Sequence, residues 1–311
     1  MQVLETQLLE TQMPSGFSNL KYRICEICIC GKMTTHCAAP PSIWQSLNAS
    51  NDTGACQNQY LIADTDMWTC SSDDKTAVSF NASVMKDASV ACTALSTVNV
   101  CDFMIPDVLG VQATLSSENC DPSWVAPLWI NIKNAQNPTR ECPWWPNQFQ
   151  SGEIDIFERG CLQGTGYLLS MGSNPNEIVP DAWQQEGRPG SFTPFTGVLI
   201  FDHQADRINS WKCPASDEAY VKQSDDELRA NGCTLTKSFE GKLRGASENY
   251  GKCNYHFVTD FWGAGTNCAQ HLTPRDSACT FDIKNIKMSF QEGKTPAQWT
   301  DPNATCHALL S

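Results

Sequence analysis

Three carboxylates lie close together in one apolar stretch of the sequence, at Glu153, Asp155 and Glu158. They alternate with large apolar residues, a pattern that predicts a β-strand with one wet face and one buried face. Strict alternation places Glu158 on the buried face, where an unpaired ionised carboxylate costs several kcal/mol. A one-residue β-bulge at Ile156 and Phe157 reverses the alternation and returns Glu158 to the face of the other two acids.

Two glutamates on one strand face are suited to acid–base and nucleophilic chemistry on a glycosidic bond. With the bulge counted, Glu153 and Glu158 are about four strand steps apart, or roughly 13 Å between Cα atoms. A concave sheet would bring their carboxyl groups toward the roughly 5–5.5 Å that retaining glycosidases use. Asp155 could then hydrogen-bond one glutamate and keep the two pKa values apart. The alternative is a solvated acidic strand face, which fits poorly with so apolar a strand.

The segment Ser151–Glu158 resembles the active-site strand of glycoside hydrolase family 16, in its bulged, laminarinase-like form Glu-x-Asp-x-x-Glu. The resemblance implies an all-β fold: a curved, concanavalin A-like β-jelly-roll sandwich of two antiparallel sheets, with a substrate groove on the concave sheet. It also implies that Glu153 is the nucleophile, Asp155 its helper and Glu158 the general acid/base.

Weaker similarity to the same family extends over roughly residues 108–290, through the predicted strands Gly110–Leu115, Ser123–Ile130 and Thr280–Phe290. In the last of these, Ile286, Met288 and Phe290 alternate inward. Many family members bind a structural calcium through an acid on this strand, and Lys284 stands at the corresponding position. We therefore expect no calcium, no other metal and no cofactor.

Four tryptophans are candidates for binding sugar. Trp129 has the opposite parity to Leu128 and Ile130, and we expect it rather than Trp124 to face the groove. Trp144 and Trp145 lie in a proline-bounded loop, where an indole could stack on a pyranose or, alternatively, plug the end of the sandwich. Trp262 belongs to a stretch that resembles a loop of fungal relatives.

The composition restricts the partners. A formal net charge of −13 disfavours nucleic acids, acidic membranes and sulfated polysaccharides, whereas a neutral β-glucan meets no such repulsion. No apolar run is long enough to span a bilayer. We expect a monomer that binds a neutral β-glucan polysaccharide or oligosaccharide.

Seventeen cysteines predict disulfides and an oxidising compartment, and four N-glycosylation sequons agree with this. The first thirty residues do not resemble a signal peptide, but we expect a secreted, extracellular or cell-wall protein. The cluster Cys25, Cys28, Cys30, His36 and Cys37 could instead bind zinc. Disulfides are favoured because no second Cys-x-x-Cys occurs at finger spacing.

The predicted organisation is a poorly ordered N-terminal segment (1–40), a single jelly-roll catalytic domain (41–295) and a C-terminal tail (296–311). The stretches Thr76–Phe80 and Ser89–Leu95 could be strands. The acidic run from Asp225 to Glu227 predicts a solvated helix or loop.

The sequence favours retaining endo-hydrolysis of β-1,3- or mixed-linkage β-1,3/1,4-glucan. One alternative is a non-catalytic β-glucan-recognition protein, and another is a cell-wall transglycosylase on the same fold. The presence of all three acids favours an enzyme over a recognition protein, since relatives that only bind glucan typically lose the catalytic glutamates.

Overall fold

The structure is a computed structural model. It describes residues 42–46, 60–61, 68–71, 73–81, 91–118, 128–133, 154–159, 166–167, 170–171, 180–183, 192–240, 253–262 and 280–311. The chain divides into residues 1–34 and 35–311, and every described residue belongs to the second unit.

Sixteen strands lie within the described residues and are numbered here in chain order. They are β1 Gln45–Ser46, β2 Tyr60–Leu61, β3 Trp68–Cys70, β4 Val78–Asn81, β5 Ala91–Ser96, β6 Val108–Glu118, β7 Leu128–Ile132, β8 Ile154–Arg159, β9 Gly166–Tyr167, β10 Ser170–Met171, β11 Pro180–Trp183, β12 Phe192–Asp202, β13 Arg207–Pro214, β14 Thr234–Glu240, β15 Tyr255–Trp262 and β16 Thr280–Phe290. The described helices are α1, Asp225–Ala230, and 3₁₀ segments at Ile105–Asp107, Tyr220–Lys222, Ala297–Trp299 and Thr305–Leu309.

The strands form two sheets. The nine-stranded sheet has the order β1-β5-β15-β7-β8-β9-β11, with β10 also paired to β8 and β2 to β5. The seven-stranded sheet has the order β14-β13-β12-β6-β16-β4-β3. The described strand pairs are antiparallel except for β2 with β5. The predicted all-β, two-sheet sandwich is confirmed, and β4 and β5 form in the two predicted early stretches.

The core lies between the sheets because each contributes alternate apolar residues to it. Val111, Ala113 and Leu115 of β6 are fully buried there, as are Leu128 and Ile130 of β7. Burial of each large aliphatic side chain contributes about 1.5–3 kcal/mol. The same hydrophobic core thus joins the two sheets and anchors β7, the strand that pairs with β8.

The long strand β16 changes parity part-way along. Phe281 and Ile283 are buried in its first half, and Ile286 and Met288 in its second. The change occurs at Asn285, which has a φ of 53°, where the register against β6 shifts. Asparagine tolerates this left-handed conformation better than most residues. The predicted inward alternation is confirmed for the second half of the strand.

A helical segment covers part of the outer face of the seven-stranded sheet. Gln112 on β6 donates from Nε2 to Glu218 O at 2.7 Å and accepts from Val221 N at 3.1 Å. These bonds hold the 3₁₀ segment Tyr220–Lys222 over a second apolar cluster, which includes Trp211 and Leu228. The acidic run begins α1, whose capping box pairs Ser224 with Glu227; the resulting hydrogen bonds lower the pKa of the Glu227 carboxyl.

Two disulfides lie within the described residues. Cys101–Cys306 links residues 205 apart, and Cys213–Cys233 links residues 20 apart. The first attaches the C-terminal segment to the sandwich, where Trp299 and Leu309 are fully buried in the core. Among the helices that the structure describes, none is long and apolar enough to cross a membrane.

Candidate active site

The strand that carries the acids, β8, lies inside the nine-stranded sheet. It pairs with β7 on one side and with β9 and β10 on the other. Ile154 and Ile156 are fully buried in the core between the sheets. The apolar half of the alternating pattern therefore anchors the strand, as the sequence predicted.

The pairing of β8 with β7 contains the predicted bulge. Asp155 lies opposite Trp129, but the next residue of β7, Leu128, lies opposite Phe157. Ile156 is thus the extra residue on β8, and position 157 falls opposite a core residue. By alternation beyond the bulge, position 158 shares the face of position 155. This confirms the bulge inferred from the cost of burying a carboxylate.

The structure describes only part of the predicted catalytic set. Asp155 and Glu158 lie on β8, where Asp155 also pairs with Ser170 and Glu158 with Tyr167. Glu153 precedes Ile154 in sequence and lies outside the described residues. Their roles remain predictions.

Two of the four candidate tryptophans lie within the described residues. Trp129 lies on β7, and Trp262 lies on β15, where it pairs with Cys92. Trp144 and Trp145 lie outside the described residues, as does Trp124. Of the two described candidates, Trp129 is the one that lies on the strand next to the carboxylate strand.

Trp129 occupies the face of β7 that points away from the core. Its neighbours Leu128 and Ile130 are core residues, and Trp129 itself is 5% exposed. Across the sheet it lies between Asp155 of β8 and Val258 of β15. The expected parity of Trp129 is confirmed, and its contact with sugar stays a prediction.

Sequence analysis missed two polar residues beside this position. Asn131 of β7 and His256 of β15 face each other in the ladder, and both are fully buried. Neither ring nitrogen of His256 has a hydrogen-bond partner within the part of the chain that the structure describes. The signal was present in the alternation Tyr255-His256-Phe257, because both aromatic residues are core residues and His256 must lie on the opposite face.

The environment of His256 keeps its imidazole neutral. Burial, together with the nearby positive charge of Lys133, lowers the pKa of His256 from 6.5 to about 3. Lys133 itself forms an ion pair with Asp102 at 2.6 Å. A neutral imidazole can donate one hydrogen bond and accept another, so this position can bind or orient a polar group without adding charge to the face.

No group of three or more histidine, cysteine or acidic side chains that could hold a metal ion occurs among the described residues. The described residues at these positions of β7, β8 and β15 carry carboxylates, an indole, an amide and an imidazole.

The comparisons with known proteins concern structure. Neither a protein-family model nor a curated protein sequence matches this chain. The fold is similar to that of a laminarinase from Flavobacterium sp. UMI-01, with a TM-score of 0.50 and 14% identity over 80% of this chain and 93% of that one. A laminarinase from Rhodothermus marinus aligns over 82% of this chain and 93% of its own, with a TM-score of 0.49 and 11% identity.

Three observations agree: the two-sheet sandwich, the bulged strand Ile154–Arg159 and the structural similarity over most of both chains. The chain has a β-jelly-roll sandwich fold similar to that of the laminarinase from Flavobacterium sp. UMI-01.

Proposed function

We propose that this protein is a retaining endo-glycoside hydrolase acting on β-1,3- or mixed-linkage β-1,3/1,4-glucan. The observation that carries the proposal is the bulge at Ile156, which gives positions 155 and 158 the same face of β8. Bulges that re-aim a side chain are common beside active sites. The fold shared with a laminarinase supports the substrate class.

In the proposed mechanism Glu153 attacks the anomeric carbon while Glu158 protonates the departing glycosidic oxygen. The carbon–oxygen bond to the leaving sugar breaks as the ester bond to Glu153 forms. Glu158 then removes a proton from water, which displaces Glu153 and restores both groups. Asp155, between them, helps to keep one glutamate ionised and the other protonated.

The proposed substrate is an uncharged glucan. Trp129, Trp144, Trp145 and Trp262 would stack against pyranose rings, since an indole suits the apolar face of a sugar. A net charge of −13 opposes anionic polysaccharides but not a neutral glucan. The disulfides Cys101–Cys306 and Cys213–Cys233 support an oxidising, extracellular setting.

The test uses two variants, Glu153→Ala and Glu158→Ala. The first should lose turnover of every substrate. The second should retain the first step on aryl glucosides with good leaving groups and, with azide, should yield a β-glycosyl azide. Glu240→Ala is the matched control, because Glu240 is an exposed residue of β14 on the other sheet.

Product stereochemistry and substrate range complete the test. The first sugar released by the unaltered protein should be the β-anomer by NMR, and an initial α-anomer would rule out retention. Products from a panel of laminarin, mixed-linkage glucan, xyloglucan and galactan separate hydrolysis from transfer. Binding without turnover of any of them would favour a recognition protein.

A further inference from the structure

A groove with a volume of about 1020 Å³ opens on the seven-stranded sheet. Its described lining residues come from β6, β12, β13 and β16 and from segments that follow these strands; none comes from β7, β8 or β15. The groove is therefore separate from the candidate catalytic strand. A volume at the upper end of the usual range for ligand sites can hold several sugar rings.

The floor of the groove contains a β-bulge. Ser289 of β16 pairs with Gly110 of β6, but the next residue, Phe290, pairs with Val108, which leaves Leu109 as an extra residue. The Leu109 side chain is 39% exposed in the groove. The Val108 carbonyl accepts a hydrogen bond from His203 Nε2 at 2.7 Å. The bulge thus presents an apolar side chain to solvent at a position with a fixed backbone.

One wall of the groove is held close to this floor. A Cβ atom added at Gly110 would lie 3.2 Å from the Cβ of Val221, so the wall approaches as closely as a glycine permits. Val221 N donates to Gln112 Oε1, and Val221 O accepts from Ser289 Oγ at 3.0 Å. The groove is therefore formed by hydrogen-bonded, packed segments before any ligand arrives.

Several polar groups of the groove have unused hydrogen-bonding capacity. Arg207 contacts Asp202 at 3.3 Å, but its Nε is buried and has no partner in the described ranges. His203 donates from Nε2 to the Val108 carbonyl, and its Nδ1 has no partner among the described residues. The ammonium group of Lys222 has no partner among the described residues. Polar groups with unused hydrogen-bonding positions therefore line the same space.

Among the charged side chains of the groove, Asp202 and Asp225 oppose Arg207 and Lys222. An anion or a cation would each meet two groups of its own sign, whereas a hydroxyl group can both donate to and accept from this lining. Leu109 and Ile200 offer apolar surface for the carbon-bound hydrogens of a ring. We infer that the groove is a second binding site, for a neutral oligosaccharide, on the sheet opposite β8.

The test compares Leu109→Arg with Leu235→Arg. Both leucines are 39% exposed and both lie on the seven-stranded sheet, but Leu235 does not line the groove. The dissociation constants of laminarihexaose, cellohexaose and mannohexaose are measured by calorimetry, in the Glu158→Ala background wherever the sugar is hydrolysed. At least one should bind about tenfold or more weakly to the Leu109 variant, with no comparable change in the Leu235 variant.

A second variant, Lys222→Ala, removes one donor from the groove without touching the core, and Lys284→Ala serves as its control because Lys284 is also exposed. Affinity should fall in the first and not in the second. If no neutral hexasaccharide shows Leu109-dependent affinity, or if an oligogalacturonate or a chitosan oligomer binds the groove more tightly, the inference is wrong. If binding depends on Leu109 but the protein has no hydrolytic activity, the inferred binding site stands and the proposed catalytic function is refuted.

Discussion

Trp129 of β7 and Asp155 of β8 lie directly opposite each other. At the next residue of β7, the register between the two strands shifts. Leu128 then pairs with Phe157, and Ile156 has no partner of its own on β7. Side chains in a strand alternate with a period of two. Inserting or deleting one residue in the regular part of the strand therefore moves each later side chain of the strand to the opposite face of the sheet. The number of residues between Asp155 and Glu158 is therefore as important as their types for placing both acids on one face of β8.

Deleting Ile156 should preserve the acid face. The pairs Trp129–Asp155 and Leu128–Phe157 would become consecutive, and Glu158 would stay in phase with Asp155. The lost buried side chain should lower the free energy of unfolding by roughly 2–5 kcal/mol. Measured laminarin hydrolysis should be reduced but present.

Inserting an alanine between Phe157 and Glu158 is the matched control. It moves Glu158 to the core face, where an ionised carboxylate costs several kcal/mol. Hydrolysis should disappear and thermal stability should fall. Equal activity in the deletion and insertion variants would show that strand parity does not position Glu158.

Replacing Trp129 should weaken glucan binding. Trp129→Ala removes an indole beside Asp155, and the affinity for laminarihexaose should fall by about 1 kcal/mol, the value expected for an aromatic contact. Since Trp129 is only 5% exposed, the alanine variant should also lose stability. Trp129→Phe separates the effects, because it keeps an aromatic ring in the sheet. Unchanged calorimetric affinity in a folded alanine variant would exclude Trp129 from sugar binding.

Acid should destabilise the fold through His256. Its pKa lies near 3 in the folded chain, against 6.5 for an ordinary histidine. Below about pH 6.5 the unfolded chain takes up a proton that the folded chain does not. The free energy of unfolding therefore decreases as the pH is lowered. The slope should approach about 1.4 kcal/mol per pH unit until the folded pKa is reached.

Denaturant titrations at several pH values measure this slope, and His256→Gln should remove the contribution of His256 from it. The stabilisation is thus complete above the unfolded pKa and is lost as pH falls through the range from about 6.5 to about 3. Identical slopes for the variant and the unaltered protein would mean that His256 takes up its proton in the folded state.

The two disulfides should differ in their contribution to stability. In the loop-entropy model, the bond Cys101–Cys306, which closes a loop of 205 residues, should stabilise the fold by about 2 kcal/mol more than Cys213–Cys233, which closes a loop of 20. Paired serine substitutions and chemical denaturation measure both values. A larger loss from the shorter loop would indicate that local strain, rather than loop entropy, decides the difference.

The sequence by itself determined the character of β8. A carboxylate cannot be buried cheaply, so the order of acids and apolar residues from Glu153 to Glu158 already contains the bulge. The start of α1 is equally local, since Ser224 and Glu227 cap each other within one turn. In both cases the energetic cost that decides the conformation arises between residues close together in the chain.

Only the tertiary structure decided which distant residues meet. His256 faces Asn131 because β15 pairs with β7, and no local pattern contains that register. Cys101 joins Cys306 among seventeen cysteines whose spacing allows many pairings. The groove at Leu109 likewise requires a register shift between β16 and β6. It also requires the 3₁₀ segment Tyr220–Lys222 to pack against β6. Such contacts depend on the global arrangement of the two sheets, which local propensity does not specify.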